Sequence, residues 1–182
     1  MNITEERVDV RTLSKEDMDD VNRTAEFCFK INQTMPGSPE YNALVKKLFG
    51  ENIGEGSLIQ APIRMNMAGT VKIGKNVVIM YNVLMMSRGG IIIEDNAMIA
   101  ANAQIITNNH DPYDRAVLLC KPVVIRENAW VGAGATILPG VTVGKNAIVA
   151  AASVVTKDVP DCAVVAGNPA KVVKMLDESK FH

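Results

Sequence analysis

The stretch from residue 124 to residue 155 decides the fold: VIRENAWVGAGATILPGVTVGKNAIVAAASVV. An aliphatic residue occurs at every sixth position, and the residue four positions after each is small or valine. The aliphatic positions are Ile125, Val131, Ile137, Val143, Val149 and Val155. A period of six is neither the 3.6 of an α-helix nor the 2 of an isolated strand. The repeat therefore indicates a solenoid in which each hexapeptide is one short strand that ends at a corner.

The same period extends toward the N-terminus and is interrupted twice. It begins near residue 53 and becomes regular at Ile73. Two extra residues around Gly89-Gly90 cause the first interruption, and the segment TNNHDPYDRAVLLCKP, residues 107–122, causes the second. We expect a loop over about residues 108–121 to leave the solenoid, and loops on a rigid scaffold often carry function.

The flanks of the repeat have a different character. Residues 1–52 are predicted to form an N-terminal helical segment, because Ser14 and Ser38 are placed to cap two helices. Residues 53–166 are predicted to form the solenoid, with three hexapeptides in each triangular coil, and residues 167–182 a C-terminal extension. The predicted fold is therefore mainly β.

Composition and charge exclude several classes of protein. The chain of 182 residues has a formal net charge of −1, which provides no basic surface for nucleic acid. No apolar run approaches the roughly 18 residues of a membrane span. The N-terminal sequence MNITEERVDV lacks the basic and apolar blocks of a secretory signal, and the three cysteines are far apart. We therefore expect a cytoplasmic protein with reduced thiols.

One further pattern carries a family resemblance. The stretch VIRENAWVGAGATILPGVTVGKNAIVAAASVVTKDVPDCAVVAGNPAKVVK, residues 124–174, resembles the C-terminal half of the hexapeptide-repeat acetyltransferases, and TNNHD before the predicted loop matches as well. The resemblance is strongest to the maltose and galactoside O-acetyltransferases. It implies a left-handed parallel β-helix, acetyl-CoA as co-substrate, no metal, and a homotrimer with its sites between subunits.

Acyl transfer to a hydroxyl needs a base for the nucleophile, a donor for the developing oxyanion and a groove for the cofactor. His110 is the candidate base, because a neutral imidazole accepts a proton near neutral pH and the position matches the catalytic histidine of the family. The resemblance assigns the oxyanion donor to the backbone N–H of Ala133. It also assigns cofactor binding to Ala151, Thr156, Lys157, Lys171 and Lys174.

The acceptor side differs from the sugar acetyltransferases. The resemblance places five candidate acceptor-binding residues here: Asn66, Met80, Asn82, Arg88 and Trp130. Met80 stands where those enzymes have an asparagine, and Arg88 where they have an aspartate. A guanidinium only donates hydrogen bonds and prefers carboxylate or phosphate. We therefore expect acidic acceptors to be better substrates than galactosides or maltose, unless Arg88 points to solvent beside Gly89-Gly90.

Three other functions are considered. A carbonic anhydrase on the same solenoid needs three histidines around its metal, and the chain has two. A non-catalytic solenoid could serve as a binding module. Measurement of acetyl-CoA binding would distinguish it from an enzyme. Acetylation of an amine, as on an amino sugar or an antibiotic, uses the same chemistry as acetylation of a hydroxyl. The sequence does not distinguish acetylation of an amine from acetylation of a hydroxyl.

Overall fold

A computed structural model describes residues 5–181 of the chain. Residues 1–4 of the predicted N-terminal segment and His182 of the predicted C-terminal extension lie outside the described residues. The helices are α1 (Lys15–Asn32), α2 (Pro39–Phe49) and three short 3₁₀ helices, Val10–Thr12, Gly50–Asn52 and Glu178–Lys180. The strands, in chain order, are β1 (Glu6–Asp9), β2 (Leu58–Ile59), β3 (Arg64–Met65), β4 (Val71–Ile73), β5 (Val78–Ile79), β6 (Leu84–Met86), β7 (Ile91–Ile93), β8 (Met98–Ile99), β9 (Gln104–Ile106), β10 (Asn108–His110), β11 (Val117–Cys120), β12 (Val123–Ile125), β13 (Trp130–Val131), β14 (Thr136–Ile137), β15 (Thr142–Val143), β16 (Ile148–Val149), β17 (Val154–Val155), β18 (Ala163–Gly167) and β19 (Ala170–Met175).

The two α-helices begin where the sequence predicts. The Ser14 hydroxyl accepts a hydrogen bond from the Asp17 N–H at 3.0 Å, and the Ser38 hydroxyl accepts one from the Tyr41 N–H at 3.1 Å. Such caps satisfy backbone donors that have no partner within the helix. The apolar faces of the two helices cover the first coils of the solenoid. Their buried residues include Ile31, Tyr41, Leu48 and Phe49.

Most of the remaining chain winds into a parallel β-solenoid of about five turns with three flat faces. The first face consists of β4, β7, β12 and β15. The second consists of β2, β5, β8, β13, β16 and β18, with β19 added antiparallel at its end, and the third of β3, β6, β9, β14 and β17. The chain passes from the first face to the second, then to the third, and back to the first. We call the turns between them the first–second, second–third and third–first corners.

The predicted inward positions form the core. Ile99, Ile105, Ile125, Val131 and Ile137 are each fully buried, and their aliphatic counterparts in the other coils stack above and below them. The small residues four positions later, among them Ala97, Ala103, Ala129, Ala135 and Ala147, are fully buried at the corners. The six-residue pattern is thereby confirmed as the packing pattern of the solenoid. Burying one such aliphatic side chain stabilises the fold by about 1.5–3 kcal/mol.

A column of asparagines lines the first–second corner. Asn76, Asn96, Asn128 and Asn146 have φ angles between 54° and 60°. Asparagine adopts this left-handed conformation more readily than any other residue except glycine. The side chains hydrogen-bond from coil to coil, and the Asn128 Nδ2 donates to the Asn146 Oδ1 at 3.1 Å. The tight corner is thus stabilised by residues that tolerate its backbone.

The segment that interrupts the repeat is more regular than expected. β10 and β11 form an antiparallel hairpin, and β1 pairs with β11 on its other side. We call this three-stranded unit the hairpin sheet. The strand β1 lies within residues 1–52, where only helices were expected. Its sequence, ERVD, has no strand pattern, and its partner lies more than a hundred residues away.

Candidate active site

His110 ends strand β10 on the hairpin sheet, and its side chain is exposed. Its Nδ1 lies 2.5 Å from the backbone carbonyl oxygen of Arg115. A carbonyl oxygen only accepts hydrogen bonds, so Nδ1 carries the proton and donates it. In the neutral imidazole Nε2 then has a free lone pair. The hairpin therefore presents His110 in the tautomer that a general base requires.

Asp111 holds the turn that follows the histidine. The buried carboxylate accepts hydrogen bonds from the Tyr113 N–H at 2.7 Å and from the Arg7 guanidinium at 2.5 Å. The Tyr113 amide first, and then Arg7, hold the pKa of Asp111 below its ordinary value. Asp111 belongs to the TNNHD motif, but the motif alone does not predict a role for it in the site. An aspartate at the start of a turn is a recognisable signal, whereas nothing in the sequence predicts its contact with Arg7.

The third–first corner forms the root of the hairpin. The Thr107 hydroxyl accepts a hydrogen bond from the Gly89 N–H at 2.8 Å and donates one to the Met86 carbonyl at 2.6 Å. A Cβ on Gly89 would lie 2.5 Å from the Thr107 carbonyl oxygen and 2.9 Å from the Lys121 nitrogen. A glycine is therefore required where the two strands leave the solenoid.

Arg88 lies at the same corner and does not point to solvent. Its side chain is only 9 % exposed, and its Nη1 lies 3.4 Å from the Asp17 Oδ1 at the start of α1. Its charge also acts on Cys120, where it opposes the rise in the pKa of the thiol that burial causes. The alternative of an exposed arginine beside Gly89-Gly90 is therefore wrong.

The two candidate asparagines make hydrogen bonds within the solenoid. The Asn66 Oδ1 accepts from the Ser87 N–H at 2.8 Å, and the Asn82 Nδ2 donates to the Asn102 Oδ1 at 2.5 Å. Asn82 also has a φ of 60°, as the corner asparagines do. These contacts give both residues a structural role, and their contact with an acceptor stays a prediction.

Ala133 has a backbone donor that the solenoid does not use. Its neighbours Gly132 and Gly134 donate to the carbonyl oxygens of Val149 and Ala101, each within 3.0 Å. Within residues 5–181 the N–H of Ala133 makes no such hydrogen bond, and the residue is exposed. Ala151 lies on the next coil at the same corner and is also exposed. An unused N–H at an exposed corner is the feature that an oxyanion donor requires.

The remaining candidates are dispersed over the surface. Trp130 points outward from the second face and is half-exposed, and Met80 lies at the second–third corner. Thr156 and Lys157 are exposed at the third–first corner after β17. Lys171 and Lys174 are exposed on β19.

One chain does not bring all the candidates together. Ala133 and Ala151 lie at the second–third corner, whereas His110 projects from the third–first corner. The third face separates these corners by about six residues of extended chain, up to roughly 20 Å. The residues predicted to hold the cofactor and the predicted base therefore lie on different edges of one solenoid.

Two cavities lie away from all of these residues. One, of about 470 Å³, is on the first face and is lined by Glu51, Lys72, Glu94 and other residues. The other, of about 570 Å³, lies between α2 and the first coil. In the part of the chain that the structure describes, no group of three or more His, Cys, Asp or Glu side chains is placed to hold a metal ion. No helix among residues 5–181 is both long enough and apolar enough to cross a membrane.

Comparisons with known proteins agree with the repeat and with the fold. Residues 122–157 match the family described as bacterial transferase hexapeptide (six repeats), and residues 70–106 match the hexapeptide repeat of succinyl-transferase. A galactoside O-acetyltransferase of Lactococcus lactis subsp. lactis is 38 % identical over 158 residues, which are 84 % of this chain and 76 % of the relative.

Two solved structures have nearly the same backbone. A hexapeptide-repeat acetyltransferase of Vibrio cholerae, solved with acetyl coenzyme A, has a TM-score of 0.85 at 34 % identity and covers 91 % of both chains. A maltose O-acetyltransferase of Clostridium difficile has a TM-score of 0.85 at 31 % identity, over 91 % of this chain and 90 % of that one. The chain therefore belongs to the hexapeptide-repeat acetyltransferases, the family of the galactoside and maltose O-acetyltransferases.

Proposed function

We propose that the protein transfers the acetyl group of acetyl-CoA directly to a hydroxyl of a sugar or related small molecule, with His110 as general base. The observation that carries this proposal is the hydrogen bond from His110 Nδ1 to the Arg115 carbonyl, which leaves Nε2 free. Family membership and the relative solved with acetyl coenzyme A support the donor. A cytoplasmic location is part of the same proposal.

The chemistry follows from these groups. Nε2 of His110 takes the hydroxyl proton while the acceptor oxygen attacks the thioester carbonyl carbon. The carbonyl oxygen becomes an oxyanion, to which the free N–H of Ala133 donates. When the intermediate collapses, the bond from carbon to sulfur breaks, and the imidazolium returns its proton to the leaving thiolate of coenzyme A. A positioned base of this kind contributes about 10²–10⁴ in rate.

A homotrimer with sites between neighbouring subunits is the second part of the proposal. It is supported by the separation of His110 from Ala133 within one chain. It is also supported by an apolar stripe on the second face, where the register aligns the half-exposed side chains of Leu58, Met98 and Trp130. A second chain packed there would cover this stripe and bring its own hairpin to the second–third corner at Ala133 and Ala151.

Sedimentation velocity tests the assembly. We expect a species of about 59 kDa at micromolar concentration, three times the 19.7 kDa of one chain. A species of about 20 kDa would contradict the shared site.

Thiol release from acetyl-CoA, measured across a panel of hydroxyl and amino acceptors, tests the reaction. We expect release that depends on hydroxyl acceptors, with an O-acetyl product in the mass spectrum. Release with amino acceptors alone would assign N-acetylation instead. Binding of acetyl-CoA without transfer to any acceptor would contradict the proposal.

Replacing His110 tests the base. We expect His110→Ala to lower turnover by about 10²–10⁴ when chemistry limits the rate, with coenzyme A binding and the melting temperature unchanged. His110→Asn is the matched control, since its amide N–H can still donate to the Arg115 carbonyl but cannot act as a base. Equal losses in both variants support the assignment. Rescue by Asn, or more than about a tenth of wild-type turnover in His110→Ala, would contradict it.

A further inference from the structure

Arg88 is a buried cation with almost no partner. Its side chain is 91 % buried, since only 9 % is exposed. Within residues 5–181 its guanidinium makes no hydrogen bond, and its single ion pair joins Nη1 to the Asp17 Oδ1 at 3.4 Å. An arginine has five N–H donors in a planar fork, and buried donors are normally satisfied. This guanidinium is therefore ready to bind an anion that presents two oxygens.

Arg88 lies at the root of the hairpin whose first strand ends at His110. The register pairs His110 with Leu118 and Asn108 with Cys120, so these four side chains lie on one face of the sheet. The charge of Arg88 acts on the buried thiol of Cys120, where it opposes the rise in the pKa that burial causes. Arg88 is also one residue from Gly89, which hydrogen-bonds Thr107, and His110 lies three residues beyond Thr107. The three residues of extended strand from Thr107 to His110 span about 10 Å.

A second unsatisfied group lies on the strand that carries His110. The Oδ1 of Asn108 is buried and has no hydrogen-bond partner among the described residues. Asn108 precedes His110 by two residues on the same strand and shares its face. An acceptor oxygen without a donor fits a ligand that carries hydroxyl groups. The hairpin and its root thus offer donors for an anion, an acceptor for a hydroxyl, and the candidate base.

We propose that Arg88 binds the carboxylate of the acceptor, so that the natural acceptor is a hydroxy acid such as a sugar acid. This inference rests on the proposed acetyl transfer and names its substrate class. Asp17, which is about one-third exposed, neutralises Arg88 while the site is empty. The ion pair uses one nitrogen of the fork, which leaves Nε and Nη2 to donate to the carboxylate. Bound in this way, the carboxylate holds the far end of the acceptor while a hydroxyl meets His110.

The competing explanation is structural: the pair only docks α1 on the third–first corner. The two partners distinguish these roles, because Arg88→Met and Asp17→Asn both break the ion pair. A docking role predicts the same effect from both variants. A carboxylate site predicts opposite effects, since the first variant removes the ligand for the anion and the second removes its competitor.

The experiment compares D-gluconate with D-sorbitol, which differ by one carboxylate in place of a CH₂OH group. We expect Arg88→Met to lower the kcat/KM ratio of gluconate to sorbitol by about ten- to a hundredfold. Asp17→Asn should raise that ratio by about two- to fivefold, and Arg88→Lys should lower it less than Arg88→Met because it keeps the charge but loses the fork. The exposed Arg126, changed to Met, is the matched control and should leave the ratio unchanged.

Thermal shift by gluconate, in the absence of acetyl-CoA, gives a readout that needs no turnover. Gluconate should raise the melting temperature of the wild type and of Asp17→Asn more than sorbitol does, and this difference should be smaller in Arg88→Lys and absent in Arg88→Met. If Arg88→Met does not fold, Arg88→Lys and Asp17→Asn still decide the matter.

Several results would overturn the inference. Equal ratios for the wild type and both variants, with equal losses of stability, would leave only the docking role. A rise in the KM of acetyl-CoA in Arg88→Met, without a change in the ratio, would assign the anion to the cofactor. Failure of the proposed function looks different: gluconate would still shift the melting temperature through Arg88, but no acceptor would be acetylated.

Discussion

The solenoid and the hairpin sheet are built by different kinds of contact. In the solenoid, most strands pair with a strand 18 or 20 residues away, as Trp130 does with Ile148 and Val78 with Met98, and the pairs that enclose the hairpin are 32 residues apart, as Trp130 is from Met98. The hairpin sheet joins β1 to β11, and its ion pair between Arg7 and Asp111 spans 104 residues. The repeated six-residue pattern produces the solenoid. The hairpin sheet depends on particular residues that meet only once in the fold.

The same division separates stability from chemistry. The inward side chains of the solenoid are fully buried, whereas His110 and Tyr113 on the hairpin sheet are exposed, Tyr113 by 98 %. The regular stack of coils forms a rigid scaffold. The interruption in the repeat places His110, the candidate general base, outside that scaffold. We therefore expect substitutions at the inward positions of the solenoid to have the largest effects on stability, and substitution of His110 on the hairpin to have the largest effect on turnover.

The largest expected effect on folding comes from the core. Ile99→Ala leaves a cavity in a fully buried column and should lower the free energy of unfolding by about 2–5 kcal/mol. Tyr113→Ser, at the exposed turn, should change it by less than about 0.5 kcal/mol. Urea unfolding followed by circular dichroism measures both. Comparable losses of unfolding free energy in the two variants would contradict the expected difference in stability between the solenoid core and the hairpin turn.

The stability that Asp111 contributes to the hairpin sheet should depend on pH. Hydrogen bonds from the Tyr113 amide and from Arg7 lower the pKa of this carboxyl in the folded protein. Its contribution to stability is therefore present above the ordinary value of 3.8 and is lost as the pH falls through the lower folded value. Asp111→Asn should be less stable than the wild type at pH 6, and the difference should shrink toward pH 3.

Urea titrations at several pH values measure this difference, and a gap that is constant with pH would contradict the ionic role of Asp111. We also expect Asp111→Asn to lower turnover by up to about tenfold, because the turn orients His110.

The smallest effect lies at a solenoid corner. Ala152 has a φ of 57°, which strains any residue with a Cβ, and its side chain is exposed. Ala152→Gly should raise the free energy of unfolding by about 1 kcal/mol, since the relief of strain exceeds the entropy that glycine adds to the unfolded chain. Ala151→Gly is the matched control and should lower it by up to about 1 kcal/mol. Thermal unfolding of both variants checks the opposite signs, and a loss in both would contradict the strain.

The difference between the regions also explains how far the sequence predicts the structure. Period six identifies the fold and the inward positions such as Ile125 and Val131, because each repeat states the same rule. The caps Ser14 and Ser38 are local signals of the same kind. The strand β1 has no such signal, since the partner that makes it a strand is distant in sequence.

The candidate site is predictable only in part for the same reason. His110 stands out because the repeat breaks around it and a family motif surrounds it. Contacts with the neighbouring coils determine that the N–H of Ala133 is free and that Arg88 is buried. The residue types alone do not predict either feature. The corner role of Asn82 likewise comes from its φ angle and its bond to Asn102.

The proposed function requires that His110 of one subunit acts on acetyl-CoA held at Ala133 and Ala151 of its neighbour. Subunit complementation tests it most directly. His110→Ala lacks the base, and Ala151→Trp should block the groove, so we expect each variant alone to be inactive. After unfolding and refolding together, mixed trimers contain native sites formed from both chains. We predict that the mixture recovers a substantial fraction of wild-type turnover, whereas an inactive mixture with mixed trimers present would contradict the shared site.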